Sequence, residues 1–274
     1  MILDSGDVDD LRRAVSENLP IRLSEIEDLS LGAATELAVA FVGWREAGTQ
    51  AAMRLVSTLS KRSRTFDRTI DALDGISSVV PGDYDAPLLD IQPVAPSLDA
   101  VEWLLFSQRL RRSLEANGGF EPRKAMALSK VMSELVDNVI EHSGVAGTTP
   151  SRAVVGYAIE SGRMNLAIGD VGRGVLESLR ENPEWRERLP NARAAIEAAV
   201  LEHASRRTLT GLGGLGLRSV QQTLVDLNGS LRFRSGDAAL TLEGPGQARE
   251  IRRSHSPQMP GFQVAISCST SGNY

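Results

Sequence analysis

Ser133-Glu-Leu-Val-Asp-Asn-Val-Ile-Glu-His142 is the stretch on which the reading of this chain turns. Leu135, Val136, Val139 and Ile140 recur at helical spacing and supply one buried face. The helix is expected to open at Pro122, a favoured first-turn residue, and to run to about His142. Glu134 and Asn138 are four apart, so they share a helical face about one turn from each other. A carboxylate one turn from an amide suits a magnesium site. The amide oxygen is a hard neutral ligand, and the carboxylate can orient a water or act as a base. Taken alone, such a pair is usually only solvated, so its meaning depends on two segments further along the chain.

Both of those segments are rich in glycine. Ile168-Gly-Asp-Val-Gly-Arg-Gly174 comes straight after an alternating strand of Met164, Leu166 and Ile168. An aspartate at a strand end, here Asp170, can accept a hydrogen bond from the exocyclic amine that distinguishes adenine. Gly172 and Gly174 let the backbone approach a flat base or a phosphate without interference from a Cβ. Thr210-Gly-Leu-Gly-Gly-Leu-Gly-Leu217 then opens directly into a helix holding Val220. Its glycines expose backbone amides at a helix N-terminus, an arrangement that binds phosphate. No lysine follows the last glycine, so this is not a Walker A loop, and it does not open a parallel dinucleotide-binding unit.

In this order the segments resemble the ATP-binding superfamily of DNA gyrase, heat-shock chaperones, histidine kinases and mismatch-repair ATPases (GHKL). Glu134 to Asn138 is similar to its N-box, and Asp170-Val-Gly172-Arg-Gly174 to its first glycine box. Gly213-Gly214-Leu-Gly216-Leu217 is similar to the second. The resemblance covers about residues 98–267 and implies a two-layer α/β sandwich; strands meeting in hairpins make its sheet mixed or antiparallel, with helices on one face. It implies bound ATP and Mg2+, with Asn138 as magnesium ligand and Asp170 as adenine reader. Gly172 and Gly174 would shape the adenine pocket, while Gly213, Gly214 and Gly216, with Leu217, would hold phosphates. Glu134 takes the position of the general base, and residues 175–210 that of a lid over the nucleotide, with Arg206 and Arg207 at its end.

The three histidines, His142, His203 and His255, all lie within or after the N-box helix, and residues 98–117 contain none. That disfavours a self-phosphorylating histidine kinase. The resemblance leaves two outcomes open for the phosphate. One is a regulatory protein that switches partner binding by nucleotide state, with slow hydrolysis through Glu134. The other is a serine/threonine kinase of the anti-sigma type acting on a partner protein with a STAS domain.

Residues 1–90 read as a smaller α/β unit, separate from the ATP-binding domain over 91–274. Ile21 to Leu23, Met53 to Val56 and Ile76 to Val80 are strand candidates, and residues 33–47 and 66–73 helix candidates. Prolines 81, 87, 93 and 96 mark the boundary. The order resembles a STAS-like fold, although the usual Asp-Ser-Ser-Gly loop is absent; Ser30 is read as a helix N-cap. Beyond the boundary, hairpins are expected at Glu160-Ser-Gly162 and at Gly236-Asp237, helices over 98–116, 191–204 and 215–227, and a last strand over 262–267.

The 274 residues carry a net charge of −5, and a single cysteine, Cys268, excludes a disulfide scaffold. The charge is uneven. Residues 1–90 hold 9 basic and 16 acidic side chains, a net −7, and the remainder is at +2. Such a balance disfavours a nucleic-acid coat. No apolar run of membrane-spanning length and no signal-like N-terminus is visible, so a cytoplasmic protein is expected. The expected partner is a signalling protein, and a homodimer is compatible with the sequence.

Overall fold

The computed structural model describes residues 2–3, 5–17, 26, 28–46, 50–75, 88–94, 100–142, 152–204, 215–243 and 250–270. The centre is a five-stranded sheet in the order β3-β4-β5-β7-β6, antiparallel at every pairing. Its strands are β3 (Leu89–Val94), β4 (Ala153–Glu160), β5 (Arg163–Asp170), β6 (Ser230–Glu243) and β7 (Glu250–Ser269). β4 and β5 are joined by Ser161 and Gly162, whose φ values of 50° and 77° make the two-residue turn that matches strand twist. The sheet is thus antiparallel, one of the two arrangements that the hairpins allow.

Period-two alternation sorts the sheet residues onto two faces. Ala153, Val155, Tyr157, Met164, Leu166, Ile168, Val264 and Ile266 face one core. On that face lie α5 (Ala100–Ala116), α6 (Pro122–His142), α9 (Ala192–Leu201) and α10 (Leu215–Asp226). The short helices α7 (Gly174–Arg180) and α8 (Pro183–Arg186) add Leu179 and Trp185. Cys268 is buried in the same core, as expected. Helix α6 begins and ends where its sequence pattern does, and α9 is capped by Asn191, whose side chain accepts from the Ala194 amide at 3.0 Å.

The opposite face is covered too. Val154, Ala167, Ile91 and Met259 belong to a second core with α2 (Leu31–Glu46), α3 (Gln50–Arg62), α4 (Arg64–Leu73) and α1 (Ser5–Ser16). In α2, residues 31–42 are all buried and, apart from Thr35 and Glu36, carry no polar side chain. The helix lies across β5 and β7. A helix that is apolar all round needs partners all round. The sheet supplies one side and α1, α3 and α4 the others. The single helical layer implied by the resemblance is therefore joined by a second.

Several local expectations are corrected. Met53 to Val56 is not a strand but part of α3, whose Ala52, Leu55 and Leu59 are buried at helical spacing. The only strands described before β3 are β1 (Ile2–Leu3) and β2 (Asp28–Leu29), a two-residue parallel pair. The strand candidates over 21–23 and 76–80 lie outside the described residues. Ser30 does cap α2, accepting from the Ala33 amide at 3.3 Å. The segment 231–242 does not turn at Gly236. β6 runs straight through, and Gly236 (φ 60°) sits at a register shift against β7. β3 straddles the boundary expected at residue 90 and forms an edge of the main sheet.

Candidate functional site

Asp170 is the last residue of β5 and is completely buried. Its carboxylate is gripped by main chain from two directions. The Gly172 amide donates to Oδ1 at 2.6 Å, and the Phe262 amide, from β7, donates to Oδ2 at 3.2 Å. A carboxylate offers about four lone-pair sites, so it can accept further bonds in addition to these. Gly261 presses directly on the Asp170 main chain. A Cβ built there would lie 1.9 Å from the Asp170 carbonyl oxygen, at a φ of +59° that disfavours side chains in any case.

The turn after Asp170 is pinned as well. Gly261 donates its amide to the Gly172 carbonyl at 2.8 Å. Ser235 accepts from the Val175 amide at 3.0 Å and donates to the Gly261 carbonyl at 2.7 Å. Gly174 has φ +77°, and a Cβ on it would meet Ser235 Oγ at 2.9 Å and the Gly261 carbonyl oxygen at 3.0 Å. Gly174 thus lies too close to β6 and β7 for a side chain, and Gly172 is held to β7 through its carbonyl. A cavity of about 320 Å³ opens beside the turn, lined by Gly172, Gly174, Glu177, Asn191, Ser235 and Gly261 among others. No α6 residue lines it.

Glu134 and Asn138 sit half-buried on α6, the helix that packs over β5 and β3. The Asn138 amide nitrogen is buried and has no hydrogen-bond partner among the described residues. Such a group normally finds one, which marks the position as one that a ligand could complete. The pKa of Asp137, beside it, is raised from the ordinary aspartate value by partial burial and then by the charge of Glu141 one turn on.

Leu217 is half-buried in the first turn of α10 and packs on the main core, and Gly216 lies in the same turn. Gly213, Gly214, Arg206 and Arg207 lie outside the described residues. Next to α10, His203 follows α9 with φ 56°, and burial and then the Arg218 charge lower its pKa. Gln221 ties α10 to α9 by donating to the Val200 carbonyl. Within residues 175–201, Val175, Leu179, Trp185, Ile196 and Val200 belong to the core.

The sequence motifs gave no hint of the structure standing behind Asp170. Gly169 leaves space for α2: a Cβ there would lie 2.9 Å from both Thr35 Cγ2 and Val39 Cγ2. Gln263, opposite Gly169 in register, donates to the Gly32 carbonyl at 3.4 Å. Nearby, Arg12, Glu36 and Arg234 are completely buried. Arg234 Nη1 lies 2.5 Å from Glu36 Oε1, and Arg12 Nη1 3.5 Å from the same oxygen. Asp9 pairs with Arg234 and, at 3.2 Å, with Arg232. Burial, then the Arg234 charge, lower the Arg12 pKa to about 10, against the opposing pull of Glu36 and Asp9. Arg12 spends its Nη2 donors on the Pro257 and Gln258 carbonyls, at 2.8 and 2.6 Å, and Arg234 also holds Pro257, at 2.7 Å. No local signal could have revealed a cluster whose hydrogen bonds reach across 246 positions, from Arg12 to Gln258.

A five-stranded antiparallel sheet thus carries α6 and α10 on one face and an aspartate-glycine turn at the end of β5. Residues 123–252 match the family described as histidine kinase-, DNA gyrase B-, and HSP90-like ATPase. The chain is also similar to the sensor histidine kinase MctS of Rhizobium johnstonii, at 24% identity over 209 residues. That alignment covers 73% of this chain but only 38% of the relative, so the chain spans well under half of that protein's length. No helix among the described residues is long and apolar enough to cross a membrane.

Proposed function

We propose that the domain binds Mg-ATP between α6 and the turn after β5, and that its nucleotide state sets the affinity for a protein partner. The observation that carries this reading is the buried amide nitrogen of Asn138, a donor without a partner among the described residues that a phosphate oxygen would satisfy, on a helix packed against the strand that ends in Asp170. Asp170 would accept the exocyclic amine of adenine, with its carboxylate already oriented by the Gly172 and Phe262 amides. Gly172 and Gly174 would keep the turn close enough for a flat base.

On our reading magnesium is held through the side-chain oxygen of Asn138. This ion usually keeps several waters and takes one or two protein ligands together with phosphate oxygens, so the Asn138 side-chain oxygen is a sufficient contribution from the chain. When bound, magnesium would neutralise phosphate charge. Glu134, one turn before Asn138, would hold and activate the attacking water, giving slow hydrolysis. Gly213, Gly214 and Gly216 with the start of α10 would donate amides to the phosphates.

The name of the relative raises phosphoryl transfer to histidine. On our reading the acceptor is not a histidine upstream of α6 in this chain, because none precedes His142. Transfer to a serine on a partner is the competing outcome. Incubation with γ-labelled ATP separates the two. Inorganic phosphate whose release is lost in Glu134→Gln supports hydrolysis; label on an added signalling protein, with no release, overturns it.

A further inference from the structure

The N-terminal helices reach the nucleotide site from behind, through two routes that meet at Asp170. The first is direct packing. Thr35 and Val39 of α2 contact Gly169, the residue before Asp170, so closely that any Cβ at Gly169 would have to displace them. Val171, the residue after Asp170, is also packed against the core built around α2. The second route is polar. Arg12 and Arg234 hold the carbonyls of Pro257 and Gln258, and Glu36 of α2 lies against both guanidinium groups. Three residues further along the same strand, Gly261 presses on Asp170, and Phe262 then donates to its carboxylate.

We propose that α1 and α2 are positioning elements for adenine recognition, with Glu36, Thr35 and Val39 acting through Gly169 and the 257–262 segment on Asp170. The inference rests on the reading of Asp170 as the adenine-binding residue. Neither helix is placed to touch a nucleotide, because both lie on the sheet face opposite α6. Their effect falls on the base and not on the phosphates, which are assigned to the other face and to α10. By thermodynamic reciprocity, anything that shifts α2 changes ATP affinity, and ATP in turn changes how firmly α2 is docked.

The test compares ATP with inosine triphosphate, which has the same phosphates but carries a carbonyl in place of the exocyclic amine. Dissociation constants are measured by calorimetry on the full chain for wild type, Glu36→Gln, Gly169→Ala and the triple variant Gly169→Ala/Thr35→Ser/Val39→Ala. Wild type is expected to prefer ATP by about tenfold or more, in line with a hydrogen bond to a charged acceptor. Gly169→Ala and Glu36→Gln should lose most of that preference while binding inosine triphosphate as before. The triple variant, which removes the methyl groups that crowd Gly169, should recover it.

A variant that weakens both nucleotides equally would show a merely structural role and overturn the inference, as would an unchanged preference in all variants. Should Glu36→Gln fail to fold, the Gly169 pair decides. A wild type that does not prefer ATP at all would instead remove the reading of Asp170, and this inference with it.

Discussion

Phe262 donates its main-chain N–H to the carboxylate of Asp170 across 92 positions of sequence, at 3.2 Å. That bond, with the one from Gly172, fixes a fully buried carboxylate between two strands before any ligand arrives. Asp170→Asn replaces one acceptor oxygen by an amide that can only donate, so one of the two backbone amides loses its partner. We expect a stability loss of about 1–3 kcal/mol together with a loss of preference for adenine. Urea unfolding checks the first part; an unchanged midpoint would mean that the two bonds do not hold the carboxylate in solution.

Gly261 and Gly119 have similar positive φ values, +59° and +66°, but very different surroundings. Alanine at 119 would meet nothing within 4 Å, so only the backbone strain of about 1–2 kcal/mol applies. Alanine at 261 would add a collision with the Asp170 carbonyl. Gly261→Ala should therefore be destabilised well beyond Gly119→Ala, by more than about 3 kcal/mol, or should not fold. Equal effects in thermal unfolding would contradict the close approach of β7 to Asp170.

Asn138→Ala removes a side chain whose buried nitrogen has no partner among the described residues, so folding has little to lose. Stability should stay within about 0.5 kcal/mol of wild type, while the dependence of ATP binding on magnesium disappears. A large loss of stability would show that Asn138 is a structural residue.

Asp9 gives a pH dependence. Burial raises its pKa, but the Arg234 charge, the hydrogen bonds from Arg234 and Ser256, and the Arg232 charge outweigh that and hold it below the ordinary aspartate value. A depressed carboxylate contributes stability that is fully present above the unfolded pKa and is lost as pH falls through the folded one. The stability gap between wild type and Asp9→Asn should thus be constant from about pH 7 to about pH 5 and should shrink below about pH 4. Denaturant midpoints across that range test it, and a gap independent of pH would contradict the pairing.

The parts of this fold that were legible in the sequence are those set by short-range physics. Helix α6 is announced by Pro122 and its apolar spacing, the β4–β5 turn by Ser161-Gly162, and the start of α9 by Asn191. Met53 to Val56 misled because a short, largely apolar run fits a strand as well as a helix, and only the burial of Ala52, Leu55 and Leu59 decides between them. Gly236 misled because a glycine that serves a bulge carries the same signature as one that makes a turn. The main residues proposed for the site were visible as motifs. Their supports were not, since Gly261, Ser235, Thr35, Val39 and the Arg12–Glu36–Arg234 cluster come together only through tertiary packing.

The central claim is that this chain is built around a magnesium-dependent ATP site, and calorimetric titration of the folded wild-type protein with ATP, with and without magnesium, tests it most directly. Saturable one-site binding that is tighter with magnesium is the predicted result, with that difference abolished in Asn138→Ala. A folded wild-type protein that shows neither heat nor a thermal shift at millimolar Mg-ATP would contradict it.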